Sequence, residues 1–435
     1  MKKKIAILLC TAMVLCLAGC SNTSNKTNTD NNQPNSQVAI KKNVSTKVGK
    51  TGYAGIMKAG KNSFVVQEET GGSYTIVDIE GNKVLEDEFD YFNMDLEGDY
   101  YAVGKKITNE DQSVSYQYFL YDGENQRVFE NTDYRDYHIY RYNNGILQLR
   151  KDIISEGTDG KQVKTYECVY LDGNNGFAKM AYLGDNIDCQ INFLSNYSNG
   201  FAAFSPTRLV TVNATTKLYS LINTTGDLLE ITLSNGCIGR SFNTSISANG
   251  WILVDAINKQ TVKSEGTYFY NVLTKEEVLW PSGYDSWESF YDAGFGAVFT
   301  VNNYVAVTPA VKQNADAQYD IFDLSKGEIV SKLGVASIDL RTYDSGLMVV
   351  KKSSQFAYVD QNFEVKSEWY VSAADIVNGY GLIVDNGTVY VINEKFAKEA
   401  VVTAGEVVAY IGDNYYSIKH DGKYYLAEVT PLNNN

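Results

Sequence analysis

The side chains able to do chemistry are few and widely spaced. Two histidines occur, His138 and His420, and neither has a partner at a catalytic or metal-binding spacing. There is no pair of helical histidines flanking a glutamate, no Gly-x-Ser-x-Gly nucleophile turn, no glycine-rich phosphate loop and no Ser-x-x-Lys. His138 falls in Tyr137-His138-Ile139-Tyr140-Arg141-Tyr142 and reads as a strand residue, while His420 precedes the turn pair Asp421-Gly422. Asp87, Glu88 and Asp90, or Glu276 and Glu277, would serve a glycosidase only if two carboxylates stood about 5–10 Å apart. Their simpler reading is solvated loop charge. No run of alternating aspartates offers a calcium loop, so no metal and no cofactor is expected. Cys168, Cys189 and Cys237 form an odd, irregularly spaced set that reads as buried thiols, one Cys189–Cys237 bridge being the alternative. The richest patch is Trp280-Pro281-Ser282-Gly283-Tyr284-Asp285-Ser286-Trp287, which holds two of the four tryptophans. Together with Tyr134 in Asn131-Thr132-Asp133-Tyr134-Arg135-Asp136, the residues Trp280, Tyr284 and Trp287 are the candidate ligand-binding set. Aromatic rings beside carboxylates and amides stack on sugars or anchor a protein partner. The competing reading makes Trp280 and Trp287 core residues between repeats.

Composition says what must hold such residues. The 33 tyrosines and 18 phenylalanines, beside 35 glycines and only 5 prolines, favour half-buried pleated strands joined by glycine turns. The net charge of −14 repels phosphate backbones, so nucleic acid is not an expected partner.

The N-terminus carries an address. Lys2–Lys4 precede an apolar stretch, Ile5–Leu17, that is too short to span a bilayer and reads as the core of an export signal. Leu17-Ala18-Gly19-Cys20 then resembles the lipobox of bacterial lipoproteins. The resemblance implies cleavage after residue 19 and lipid attachment at Cys20. Ser21–Ser36 is almost wholly polar and reads as a flexible tether. Its asparagine- and lysine-rich flavour is similar to lipoproteins of Gram-positive bacteria. The expected organisation is therefore a signal over 1–19, a lipidated cysteine and tether over 20–45, and a repeat domain over 46–435. The expected address is the outer face of the membrane.

From about residue 52 the chain repeats. An apolar run ending in Asp or Asn recurs, with the polar residue at 78, 122, 172, 223, 271, 323, 360 and 393 and a weaker last copy at Tyr424–Ala427. These intervals of 33 to 52 residues suit propeller blades, typically ~40–50 residues each. Ahead of most copies lies a turn such as Asn144-Gly145, Asn199-Gly200, Asn249-Gly250 or Asn378-Gly379, the strongest short hairpin signal. Each unit then reads as four strands, a to d. The expected fold is all-β, a β-propeller of antiparallel four-stranded blades, about eight with seven to nine allowed; a β-solenoid is the rival. Val38–Val48 could supply a strand missing from the last unit and close the ring.

Tyr74–Val84, followed by Glu88-Phe89-Asp90-Tyr91 and Gly98–Val103, resembles the repeat of the WG-repeat family, although no Trp-Gly dipeptide occurs. The resemblance implies a repeat scaffold without assigned catalytic residues. Up-and-down strand order puts the a–b and c–d turns on one face and the b–c and d–a loops on the other. The second set is longer, at Lys105–Tyr116, Lys151–Thr165, Ile257–Gly266 and Val301–Ala317, which marks it as the working face. The expected function is a lipid-anchored, non-enzymatic binding or scaffold protein that takes a protein or glycan ligand on that face. An extracytoplasmic glycan-acting enzyme is the alternative.

Overall fold

The computed structural model describes residues 39–432 except 42, 94, 95, 97, 157–161, 181–190, 195–197, 207–209, 213, 214, 218, 225, 226, 242–245, 285–299, 302 and 309–317. Cys20, Cys189 and Trp287 lie outside the described residues.

The recurring Asp or Asn is a turn-forming device. At each c–d connection its side-chain oxygen accepts backbone N–H groups two to four residues ahead. Asp122 takes Glu124 and Gln126, Asn271 takes Leu273 and Thr274, and Asp360 takes Asn362 and Glu364. Asp78, Asp172, Asn223, Asp323 and Asn393 do the same. A short polar side chain thus satisfies orphan amides and fixes the chain reversal. The a–b turns follow the other expectation. Asn144-Gly145 and Asn378-Gly379 hold positive φ at both residues, 47° and 74° in the first and 52° and 85° in the second.

The strands between these turns assemble into nine blades among the described residues. Blade 1 pairs Gly55–Lys58, Phe64–Gln67, Tyr74–Val77 and Lys83–Phe89 in chain order, and blade 2 pairs Tyr91–Asn93, Tyr101–Thr108, Val114–Tyr121 and Arg127–Glu130. Blade 3 uses His138–Asn143, Ile146–Glu156, Gln162–Asp172 and Ala178–Lys179. Blades 4 to 8 follow the same up-and-down plan, with their b strands at Phe201, Trp251, Tyr304, Leu347 and Tyr380. Blade 9 takes Val407–Gly412, Tyr415–His420 and Lys423–Pro431 from the C-terminus, and its fourth strand is Val44–Val48 from the N-terminus. Ala39–Lys41 adds a fifth, outer strand. Nine is the upper end of the expected range, because the weak last copy is a true blade completed by a strand from the other end of the chain. Strand structure also begins at Ala39, ahead of the boundary expected at residue 46.

There is no single core. Hydrophobic clusters fill the nine seams between neighbouring blades, including blade 8 to 9 through Val44, Val384 and Tyr416, and blade 9 to 1 through Tyr415, Leu426 and Phe64. The ring is closed, so the solenoid reading falls away. Each central strand sends alternate residues to opposite seams: Phe64 and Val66 face blade 9, while Val65 faces blade 2. Both faces are buried, which is why these strands read as unbroken apolar runs.

All four segments expected as loops contain strand: in Val301–Ala317, Tyr304–Val307 is the b strand of blade 6, and 309–317 lie outside the described residues. Lys105–Tyr116 continues the b–c ladder to Thr108 opposite Val114, and Lys151–Thr165 continues it to Glu156 opposite Gln162. Ile257–Gly266 pairs Ile257 with Ser264 around a six-residue turn. Of these, Lys105–Tyr116 and Lys151–Thr165 form projecting β-ribbons on the b–c/d–a face, whereas Ile257 of the third ladder stays buried against Ile238. Lys106–Thr108 and Asp152–Glu156 are exposed on both ribbon surfaces, which requires that they stand clear of the propeller body.

Candidate functional site

Among the described residues, blades 2 and 3 bring together an array of half-buried aromatic and cationic side chains on the b–c/d–a face. Tyr91 opens the inner strand of blade 2, and its ring meets Tyr118 edge-on at 5.2 Å. Tyr118 stacks with Tyr116 at 5.9 Å on the same strand and faces His138 of blade 3 at 6.3 Å. His138 contacts Tyr140 edge-on at 6.2 Å, and the Arg150 guanidinium sits 4.3 Å from the centre of the Tyr140 ring. Arg141 approaches the same ring at 5.7 Å. A planar guanidinium on an aromatic face is a cation–π contact of about 0.5–2 kcal/mol, more when water is excluded.

The position of Tyr140 has a backbone cause. Ile139 pairs with Leu149 and Arg141 with Gln148, so Tyr140 is the extra residue of a β-bulge. A bulge re-aims one side chain out of the pleat, and bulges concentrate beside binding sites. Here Ile139 and Tyr142 stay in the seam while Tyr140 turns to the cationic side. Burial pushes the Tyr91 hydroxyl up to about 12, so it is a neutral hydrogen-bonding phenol at physiological pH.

Tyr134 lies at the outer edge of this array, in the d–a connection between the two blades. It meets Tyr137 edge-on at 6.0 Å. The Tyr137 hydroxyl donates to Glu167 at 2.6 Å, and Lys151 bonds Asp136 at 2.8 Å while lying over the Tyr137 ring. Burial, then the Glu167 carboxylate, raises the Tyr137 hydroxyl well above the phenol range. The structure thus puts Tyr134 beside this candidate array, of which the sequence reading passed over Tyr91, Tyr116, Tyr140 and Arg150.

The tryptophan patch is placed differently. Trp280 is 8% exposed and stacks on Phe269 at 5.4 Å, inside the seam between blades 5 and 6. It follows strand Glu277–Leu279 and extends that ladder, with its N–H on the Thr267 carbonyl, which turns the ring inward. Trp280 is therefore a core residue and offers no ligand surface. Tyr284 packs against the same seam and donates its hydroxyl to the buried Asp320 at 2.9 Å. Burial first, then that hydrogen bond and charge, pushes its hydroxyl up to about 12. Tyr284→Phe is expected to cost about 1–3 kcal/mol, because Asp320 then loses a donor in a buried setting. Denaturant unfolding measures this, and a loss below about 0.5 kcal/mol would mean that the bond does not hold the seam.

The carboxylates raised as possible acid–base groups have structural partners. Asp87 pairs with Lys105 at 2.6 Å, Glu88 with Lys83 at 3.1 Å, and Asp90 accepts the Lys106 backbone N–H at 2.7 Å. Glu276 accepts from the Thr274 hydroxyl, and Glu277 accepts the backbone N–H and hydroxyl of Ser234. Cys237 is a buried free thiol beside Glu265, and Cys168 is free beside Gln148. In blade 9 the b–c turn brings ligand atoms of Glu406, His420 and Asp421 within 4.8 Å of one another, a donor set that a divalent cation could use. Glu406 and Asp421 are exposed, as acidic surface groups commonly are.

A scan against protein-family models and a search of curated proteins find no match to this chain. Solved structures do resemble it in part. A eukaryotic initiation factor matches at 11% identity and a TM-score of 0.45, covering 88% of this chain and 91% of the other. AztD from Citrobacter koseri matches at 10% identity and 0.37, covering 86% and 96%. The β-propeller domain of the trilobed protease from Pyrococcus furiosus, described as having an open velcro topology, matches at 10% and 0.34, covering 80% and 94%.

Proposed function

We propose that this chain is a lipid-anchored extracytoplasmic β-propeller that binds a protein or cell-envelope ligand and catalyses no reaction itself. The observation that carries the binding role is the aromatic and cationic floor of blades 2 and 3. Tyr91, Tyr116, His138, Tyr140 and Arg150 lie half-buried between two projecting ribbons, and a bulge re-aims the central ring. Rigid aromatics and arginine supply much contact energy at small entropic cost, which is why they dominate interface hot spots. The anchor rests on the sequence Leu17-Ala18-Gly19-Cys20 and the polar tether behind it.

The test is capture from detergent-solubilised envelope by the processed chain, with Tyr140→Ala as control. Wild type should retain a stoichiometric ligand that the variant loses at least about tenfold, as hot-spot truncations do. The thermal midpoint should shift by only a few degrees. Equal capture by both proteins would refute the assignment of the floor. Metabolic labelling with palmitate, lost in Cys20→Ser, checks the anchor separately.

A further inference from the structure

Blade 9 holds a set of donor side chains that only the fold brings together. Glu406 lies in the crossover from blade 8, and its backbone N–H donates to the Lys419 carbonyl at 2.8 Å, which sets Glu406 opposite His420 on the neighbouring strand. His420 ends Tyr415–His420, and Asp421 follows it into the b–c turn with φ at +48°. One imidazole nitrogen and one oxygen from each carboxylate converge to within 4.8 Å of one another on the b–c/d–a face. His420 Nε2 already stands 3.5 Å from Asp421 Oδ2. Ligands held about 2.0–2.2 Å from a tetrahedral ion stand roughly 3.4 Å apart, so that pair needs almost no movement. Glu406 is exposed, and its side chain can swing in without disturbing a packed seam.

Two features separate this set from the ordinary acidic surface of a chain that carries −14. The first is the imidazole, a donor that suits zinc and its neighbours, whereas calcium and magnesium seek six or more ligands, nearly all oxygen. The second is the lack of a competing cation. Asp87, Asp136 and Asp385 each hold a lysine, but among the described residues no lysine or arginine bonds Glu406 or Asp421. The lysines on either side of the turn are engaged elsewhere. Lys423, the cross-strand neighbour of His420, donates to the Glu68 carbonyl of blade 1 at 3.2 Å, and Lys419 lies 5.8 Å from the centre of the Tyr424 ring.

From this we propose that Glu406, His420 and Asp421 bind a divalent transition-metal ion of the zinc class, with water completing its shell. The ion ties the crossover from blade 8 to the hairpin that opens Lys423–Pro431, the strand on which Val44–Val48 closes the ring. It is a clasp on the last blade, and it stands independently of the anchor and of the aromatic floor.

The experiment titrates zinc into the full chain, untagged and stripped of metal by a chelator, with calorimetry as the readout. One zinc should bind per chain, and an equal concentration of calcium or magnesium should not displace it. His420→Ala and Glu406→Gln should each weaken binding by at least about tenfold, since loss of a residue that merely supports a ligand already costs about 10–100-fold. His138→Ala should bind as the wild type does. Glu406→Gln keeps the side-chain shape, and an unchanged metal-free thermal midpoint in both variants separates lost binding from lost folding. Zinc should also slow amide exchange across Lys423–Pro431 in the wild type and leave it unchanged in His420→Ala. Equal binding by the wild type and both variants would overturn the proposal and place the ion elsewhere on the chain. So would the absence of stoichiometric binding, or displacement by calcium at equal concentration. Zinc bound through His420 and Glu406 with no change in exchange would refute the clasp.

Discussion

Replacing Trp280 by alanine is expected to cost about 3–5 kcal/mol of stability, the range for truncating a large aromatic in a packed core. The indole stacks on Phe269, which is fully buried and itself lies 6.2 Å from Phe322 of the next blade. Truncation leaves a void at a seam where two rigid sheets meet, and neither sheet can collapse into it without disturbing its other seam. Trp280→Phe should recover most of the loss, since it restores a stacking ring. Denaturant unfolding followed by near-ultraviolet circular dichroism reads both variants. A cost under about 1 kcal/mol would place the ring at the surface and return Trp280 to the list of ligand contacts.

The second large effect is expected at the join. Val44 is fully buried in the seam between blades 8 and 9, on the N-terminal strand that pairs directly with Lys423–Pro431 of the last blade. Val44→Asp should destabilise the protein by about 4 kcal/mol or more, because an unpaired carboxylate cannot be solvated there. Removing residues 39–48 should do something different. It strips the outer partner from Lys423–Pro431 and leaves a long free edge, an invitation to pair with another chain. Hydrogen exchange should rise across 423–431, and size-exclusion chromatography should show dimers or aggregates. A truncated chain that stayed monomeric, with protected amides in that strand, would show that the join does not depend on this strand. Neighbouring contacts support the same place: Lys58 bonds Asp413 of blade 9 and Asp99 of blade 2, Lys47 pairs with Glu80, and the Tyr415 hydroxyl donates to Asn62 at 3.1 Å.

The blades were legible because their signal is local. One Asp or Asn per unit makes its own turn from backbone amides two to four residues away, so the repeat survives even where strand sequences diverge. The Asn-Gly hairpins were legible for the same reason. The ribbons were not. Lys105-Lys106 and Asn109-Glu110-Asp111-Gln112 look like loop because a ribbon wet on both sides has no apolar stripe to betray it. The floor was hidden by distance and by the bulge. Tyr91 and Tyr118 are 27 residues apart in sequence and meet only because both face Gly104 across the ladder. Nothing in the run around Tyr140 marks the extra residue that re-aims it. Trp280 misled through its company, since Pro281, Ser282 and Gly283 suggest an exposed turn while the strand before it carries the ring into the seam.

The borrowed strand of blade 9 also sets an order in time. Val48 and Ala427 are neighbours in the ring but nearly four hundred residues apart along the chain. Bringing them together costs roughly 2 kcal/mol more chain entropy than closing a loop of one blade's length, if the intervening chain were still unfolded. Blades 1 to 8 complete their sheets from adjacent sequence, so they can form as the polypeptide emerges and shorten that search before the last strand arrives. A strand synthesised ahead of blade 1 is then the last to find its place. Until the C-terminal residues appear, the chain is an open arc with unpaired edges at both ends, and the interval between those two events is when it is most exposed to proteolysis and misassembly.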